Sequence, residues 1–203
     1  MSTVDELVAL NLISGKETIK VFESLFPDIL TLEYSTPSSF ADDLWKMYKA
    51  SSFKGNSLNG LVFQSLIAVI LFREGITPLF AEANLTFVHN VKFDFVAFEK
   101  EGPIVFSAKT SFRERYKQAD LEGRFLKQVH INAKCYLMTV DEKAAINVNK
   151  KIKNGEVTGI DKAIVMTSIS LDKLLHDLGK LVLFVPPQID IVRSSKIISS
   201  KIS

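Results

Sequence analysis

The sequence is poor in the residues that build covalent cross-links and metal cages. Of its 203 residues one is cysteine, Cys135, so an intrachain disulfide is excluded. Its three histidines, His89, His130 and His176, do not cluster, and with a single cysteine they argue against a closed zinc site. No G-x-x-x-x-G-K-S/T run is present, which argues against a P-loop nucleotidase, and no G-x-S-x-G nucleophile elbow occurs. The longest apolar run, 66–72, is too short to span a bilayer. The first residues carry Asp5 and Glu6 and no basic segment, unlike a secretory signal. Repeats and low-complexity stretches are absent. These absences leave a soluble globular chain, 47% hydrophobic and 24% charged, expected in a reducing cytoplasm with no membrane and no small-molecule cofactor.

The net charge of +2 is uninformative, but its distribution is not. Between Ser107 and Gln128 lie six basic residues, Lys109, Arg113, Arg115, Lys117, Arg124 and Lys127, against three acids, Glu114, Asp120 and Glu122. The tail adds Arg193, Lys196 and Lys201. A local basic excess suits a polyanionic partner, although many solvated helices look similar.

Helical spacing predicts helices over 3–12, 17–26, 39–48, with Ser39 as a cap, and 58–74, the last stopped by Gly75 and Pro78. Residues 79–88 and 91–98 read as a hairpin turning at His89-Asn90, followed by a central strand over 104–108. A helix over 112–132, a strand over 135–140, a helix over 142–153, a strand over 163–167 and a helix over 171–178 complete the pattern, with a last short strand at 181–185. The expected fold is α/β, a mixed sheet of about five strands flanked by helices, with residues 1–50 as a helical appendage to 51–203.

Three ionisable residues fall where their segments bury apolar surface. Asp94 stands between Phe93 and Phe95, and Lys109 ends the run Ile104-Val105-Phe106. If those strands pair, the two meet at one end of the sheet, where a carboxylate can hold a divalent cation and an amine can face the scissile phosphate. A structural ion pair is the alternative. On the following helix Arg115, Gln118, Ala119, Glu122, Phe125, Leu126 and Val129 share a face that is apolar from Ala119 onward except for Glu122. That carboxylate completes an oxygen site for Mg²⁺ with Asp94, or pairs with a neighbouring Lys or Arg. Arg113-Glu114-Arg115 offers the donors and acceptor that read C·G pairs; a solvated, salt-linked first turn is the other reading.

Taken together, Phe93-Asp94, then Ser107-Ala108-Lys109-Thr110, then Arg113-Glu114-Arg115 and Glu122 resemble the PD-(D/E)XK nuclease superfamily. The resemblance is to the type II restriction branch of SsoII, PspGI and the EcoRII catalytic domain, which cuts sites built on CC and GG. In that branch the acid of the D/E-x-K tripeptide moves to the next helix; here Ser107 occupies its place and Glu122 lies thirteen residues after Lys109. The resemblance implies that Asp94 and Glu122 bind Mg²⁺, that Lys109 orients or activates water, and that Ser107 holds a metal-bound water. It also implies that Arg113, Glu114 and Arg115 read C·G pairs, with Lys117 beside them on the DNA. Asn59-Gly60-Leu61-Val62-Phe63-Gln64 resembles the first core helix, with Gln64 where the family often has Glu. The implied protein is a homodimer cleaving double-stranded DNA at a short palindrome, residues 51–203 being its nuclease domain. An inactive DNA-binding module, supported by Ser107 and Gln64, and a repair or recombination nuclease are the alternatives.

Overall fold

The computed structural model describes residues 3–85, 91–111, 115–186, 192–193 and 196–199. The amino-terminal third is helical, as its 3.6-residue spacing predicts: α1 (Thr3–Ala9), α2 (Lys16–Leu25), α3 (Pro37–Ala50) and α4 (Asn56–Arg73). Ser39 is not the cap of α3. Pro37 supplies a pre-set φ at the first helical position, so the helix starts three residues earlier than a Ser39 cap would set it. Thr36 caps it by accepting from the Ser39 amide, and Ser39 answers by accepting from the Thr36 amide. Gly75, at φ 73, ends α4 in a left-handed conformation that lets the Ile76 amide reach back to the Leu71 carbonyl at 2.9 Å.

Beyond α4 the period changes to two. The strands are β1 (Leu79–Leu85), β2 (Lys92–Glu99), β3 (Gly102–Ala108), β4 (Lys134–Thr139) and β5 (Lys162–Val165), with α5 (Arg115–Val129), α6 (Glu142–Lys153) and α7 (Ile169–Leu178) between and after them. Short pieces β6 (Val192–Arg193) and β7 (Lys196–Ile198) follow. The sheet order is β5-β4-β3-β2-β1-β6, with β7 also on β1. Asn84 pairs with Arg193 and Leu79 with Ile198 in the same antiparallel register, so β6 and β7 lie along the same edge of β1 and the sheet is six strands wide. β1, β2 and β3 form an antiparallel meander, while β3, β4 and β5 run parallel through helical crossovers. This is the expected mixed α/β sheet, one strand wider.

The extra strand corrects the reading of 181–185. Those residues form no strand; the β1 edge is occupied by 192–193 and 196–198 instead, and Val182 is 83% exposed. The Phe184 amide donates one bond to the Phe98 carbonyl at 3.1 Å. The hairpin turn read at His89-Asn90 lies outside the described residues.

Alternation along the strands sorts the core into two sides. Phe95, Ala97, Ile104, Phe106, Met138 and Ile164 join α4 and the amino-terminal helices in one buried cluster. Val96, Phe98 and Val105 pack with Leu126 of α5, while Leu137, Ala163 and Val165 pack with Ala119 of α5 and Ala145 and Val148 of α6. The result is helix, sheet, helix. By length and composition α4 is apolar enough to cross a membrane. Here it lies against β3, α2 and α3 with Val62, Phe63 and 65–71 buried, the environment of a core helix. α3 is tied to α7 by Asp172, which accepts from the Ser38 amide at 2.8 Å and its hydroxyl at 2.6 Å.

Candidate active site

Asp94 lies where the meander loses regularity. Paired residues Ala81–Phe95 and Ala83–Phe93 bracket Glu82 and Asp94, and Glu82 adopts a φ of 50. On the other side, the register Phe95–Phe106 continued one step sets Ser107 opposite Asp94. Asp94 is half-buried, and its Oδ2 accepts from the Ala108 amide at 2.6 Å and from Lys109 Nζ at 3.4 Å. Lys109 is itself anchored, because its amide donates to the Met138 carbonyl of β4 at 2.9 Å. Asp94, Ser107 and Lys109 therefore meet at the carboxyl end of β3, where a parallel strand ends and a crossover begins. That is the usual location for ligand groups in α/β sheets.

Glu122 comes to the same place from α5. It is 7% exposed, and Gln118 Nε2, one helical turn earlier, donates to its Oε1 at 2.8 Å. Burial is the main reason its pKa is raised above the usual carboxylate value, and the negative charge of Asp94 pushes in the same direction. The Gln118 bond and the charge of Lys109 pull it back down. Glu122 thus interacts electrostatically with both other members of the set.

A buried carboxylate beside a second carboxylate is a costly arrangement unless something neutralises it. Lys109 does so in part. The donors are hard oxygens, which suit Mg²⁺, an ion commonly held by one or two carboxylates and several waters. Asp94 and Glu122 fit that requirement. Among the described residues there is no group of three or more Asp, Glu, His or Cys placed to hold a metal, so the set is limited to these two acids. Ser107 is buried at 6% exposure, next to Asp94 in the register. Gln64 lines a small pocket with Asn11, Glu82, Phe95 and Lys196.

What fixes α5 was not foreseen. Asp120 reads as a surface acid, yet it is buried, and its Oδ1 accepts from the Thr158 amide at 2.9 Å and the Gly159 amide at 2.6 Å. Arg124 holds the other oxygen at 2.7 Å. Directly alongside, Gly123 of the helix meets Gly159 backbone to backbone, with no room for a side chain at either position. Lys127 closes the seam by bonding Asp161, whose other oxygen accepts from the Cys135 amide of β4 at 2.6 Å. The one available signal was Gly123 inside a helical pattern, where an isolated glycine commonly marks a close approach.

Of the residues assigned to DNA contact, Arg115 opens α5 and is exposed, and Lys117 is exposed one residue beyond Tyr116. Arg113 and Glu114 lie outside the described residues. No protein-family model, curated protein or solved structure matches this chain.

Proposed function

We propose that this chain is a Mg²⁺-dependent endonuclease of the PD-(D/E)XK kind. In this reading it is a type II restriction enzyme that hydrolyses double-stranded DNA at a short palindrome containing CC/GG. The observation that carries the reading is the convergence of Asp94, Lys109 and buried Glu122 at the end of β3, three groups from three separate elements. Asp94 and Glu122 would hold the cation, which when bound supplies a Lewis acid for the phosphate and a more acidic water. Lys109 would place a positive charge near the attacking water and the scissile phosphate, and the Ala108 amide keeps Asp94 oriented. The exposed start of α5 is then the natural reading edge, joined rigidly to the helix that carries Glu122. A two-fold site implies two copies of the chain, each cutting one strand.

The test is cleavage of plasmid carrying CC/GG sites in Mg²⁺ and in EDTA. Discrete Mg²⁺-dependent fragments are expected, and Lys109→Ala should abolish them while leaving specific binding nearly unchanged. A Lys109→Ala protein that still cuts would remove the assignment. The Asp94–Lys109 contact and the neutral Ser107 favour a second reading, a DNA-binding module on the same fold that does not cut. Such a module would show no calorimetric signal for Mg²⁺ or Ca²⁺ that depends on Asp94 and Glu122.

A further inference from the structure

One face of α6 carries hydrogen-bond donors and no carboxylate of its own; an acid beyond the helix, Glu156, pairs with Lys151 and also feels the charge of Lys150. Lys143, Asn147 and Lys150 recur at helical spacing, all exposed, while Ala145 and Val148 are buried on the opposite side. The only acid of the helix, Glu142, lies off this stripe by about a quarter turn or more. On the flank toward α5, Lys151 interacts with the Tyr116 hydroxyl and with Glu156, which lies beyond the helix. Tyr116 in turn packs on the cluster that includes Ala145 and Val148. The stripe is therefore continuous, through Lys151 and Tyr116, with the exposed start of α5 at Arg115.

We infer that this face of α6 is a DNA-backbone contact, with Lys143 and Lys150 each neutralising a phosphate and Asn147 donating between them. The inference rests on the nuclease reading and extends it to a surface outside the cleavage site. The spacing suits the ligand. Seven residues of helix separate the two lysines by about 10.5 Å. A duplex presents one phosphate per strand for every ~3.4 Å of its axis, so a stripe of this length faces several phosphates that the long lysine side chains can reach. Lysine and asparagine are typical phosphate donors, and such contacts set orientation without reading sequence.

The experiment compares Lys143→Gln/Lys150→Gln with the parent in duplex binding, both in a Lys109→Ala background so that no cutting intervenes. Affinity for a CC/GG duplex and for an unrelated duplex is measured over a range of salt. Each lost phosphate contact should lower the slope of log affinity against log salt by about 0.9, so the double variant should lose about 1.8, equally on both duplexes. A Lys16→Gln/Lys20→Gln control on α2 should keep the parental slope. An unchanged slope in a parent that binds duplex DNA would overturn the α6 contact and leave the nuclease reading standing. A parent that binds no duplex would overturn both.

Discussion

The support of α5 can be tested by removing Asp120 in two different ways. Asp120→Ala deletes the acceptor for two backbone amides and one ion pair; Asp120→Asn keeps an oxygen for the amides and loses the charge. The Gly159 amide is buried, so leaving it without a partner costs about 1–3 kcal/mol. Thr158 is exposed, and its amide can turn to water, so its bond contributes only about 0.5–1.5 kcal/mol. The Arg124 side chain is 47% exposed, which holds the ion pair to about 0–1 kcal/mol. The alanine variant should therefore lose about 1.5–5.5 kcal/mol and the asparagine variant no more than about 1. For a chain of this length each kcal/mol moves the melting point by about 2–4 °C, so the two should separate clearly. Equilibrium urea unfolding should show the midpoint falling with an unchanged slope, since the exposed surface is the same. Equal losses in the two variants would mean that the amides are not held by Asp120, and the proposed clamp would be wrong.

The backbone contact gives a second, independent check: a Cβ at Gly159 would overlap the Asp120 carbonyl and lie 2.7 Å from the Arg124 nitrogen, so Gly159→Ala should cost roughly 1–3 kcal/mol or more in the same unfolding assay. A neutral Gly159→Ala would show that α5 can slide on its loop. Glu122 supplies a prediction about pH. Its folded pKa is raised, so its ionised form opposes folding above that value, and the cost is relieved as pH falls through it toward the ordinary carboxylate range. Glu122→Gln should therefore melt higher than the parent at neutral pH without metal, and the gap should close as pH falls through that window. On the proposed cation role, the same variant should also lose any rise in melting point that Mg²⁺ gives the parent, and parental Mg²⁺ affinity should weaken as pH falls through the same range. A gap that is constant with pH would show that the substitution acts by packing rather than by charge.

The parts of this site that were legible in sequence share one property: each is a charge in apolar company. Asp94 sits between phenylalanines, Lys109 ends an apolar strand and Glu122 interrupts the buried face of a helix, so each contradicts its local pattern and calls for a partner. Asp120 contradicts nothing. With Arg124 four residues on, it fits an ordinary surface pair, and its real partners are amides 38 and 39 residues away in a loop with no pattern of its own. The edge strand escaped for a related reason. Two short pieces line one sheet edge only because they share a register on β1, a tertiary fact that 181–185, richer in apolar residues, could not compete with. The lesson for function lies in which residues were hidden. Two carboxylates and a lysine do nothing together unless the helix carrying Glu122 stays fixed relative to the strands carrying the others. Asp120 and Gly123, within two residues of Glu122, and Lys127, farther along the helix, perform that fixing through a loop that Asp161 ties to β4, the neighbour of β3. The same helix begins at Arg115, so whatever holds Glu122 against the sheet also sets where that exposed arginine stands.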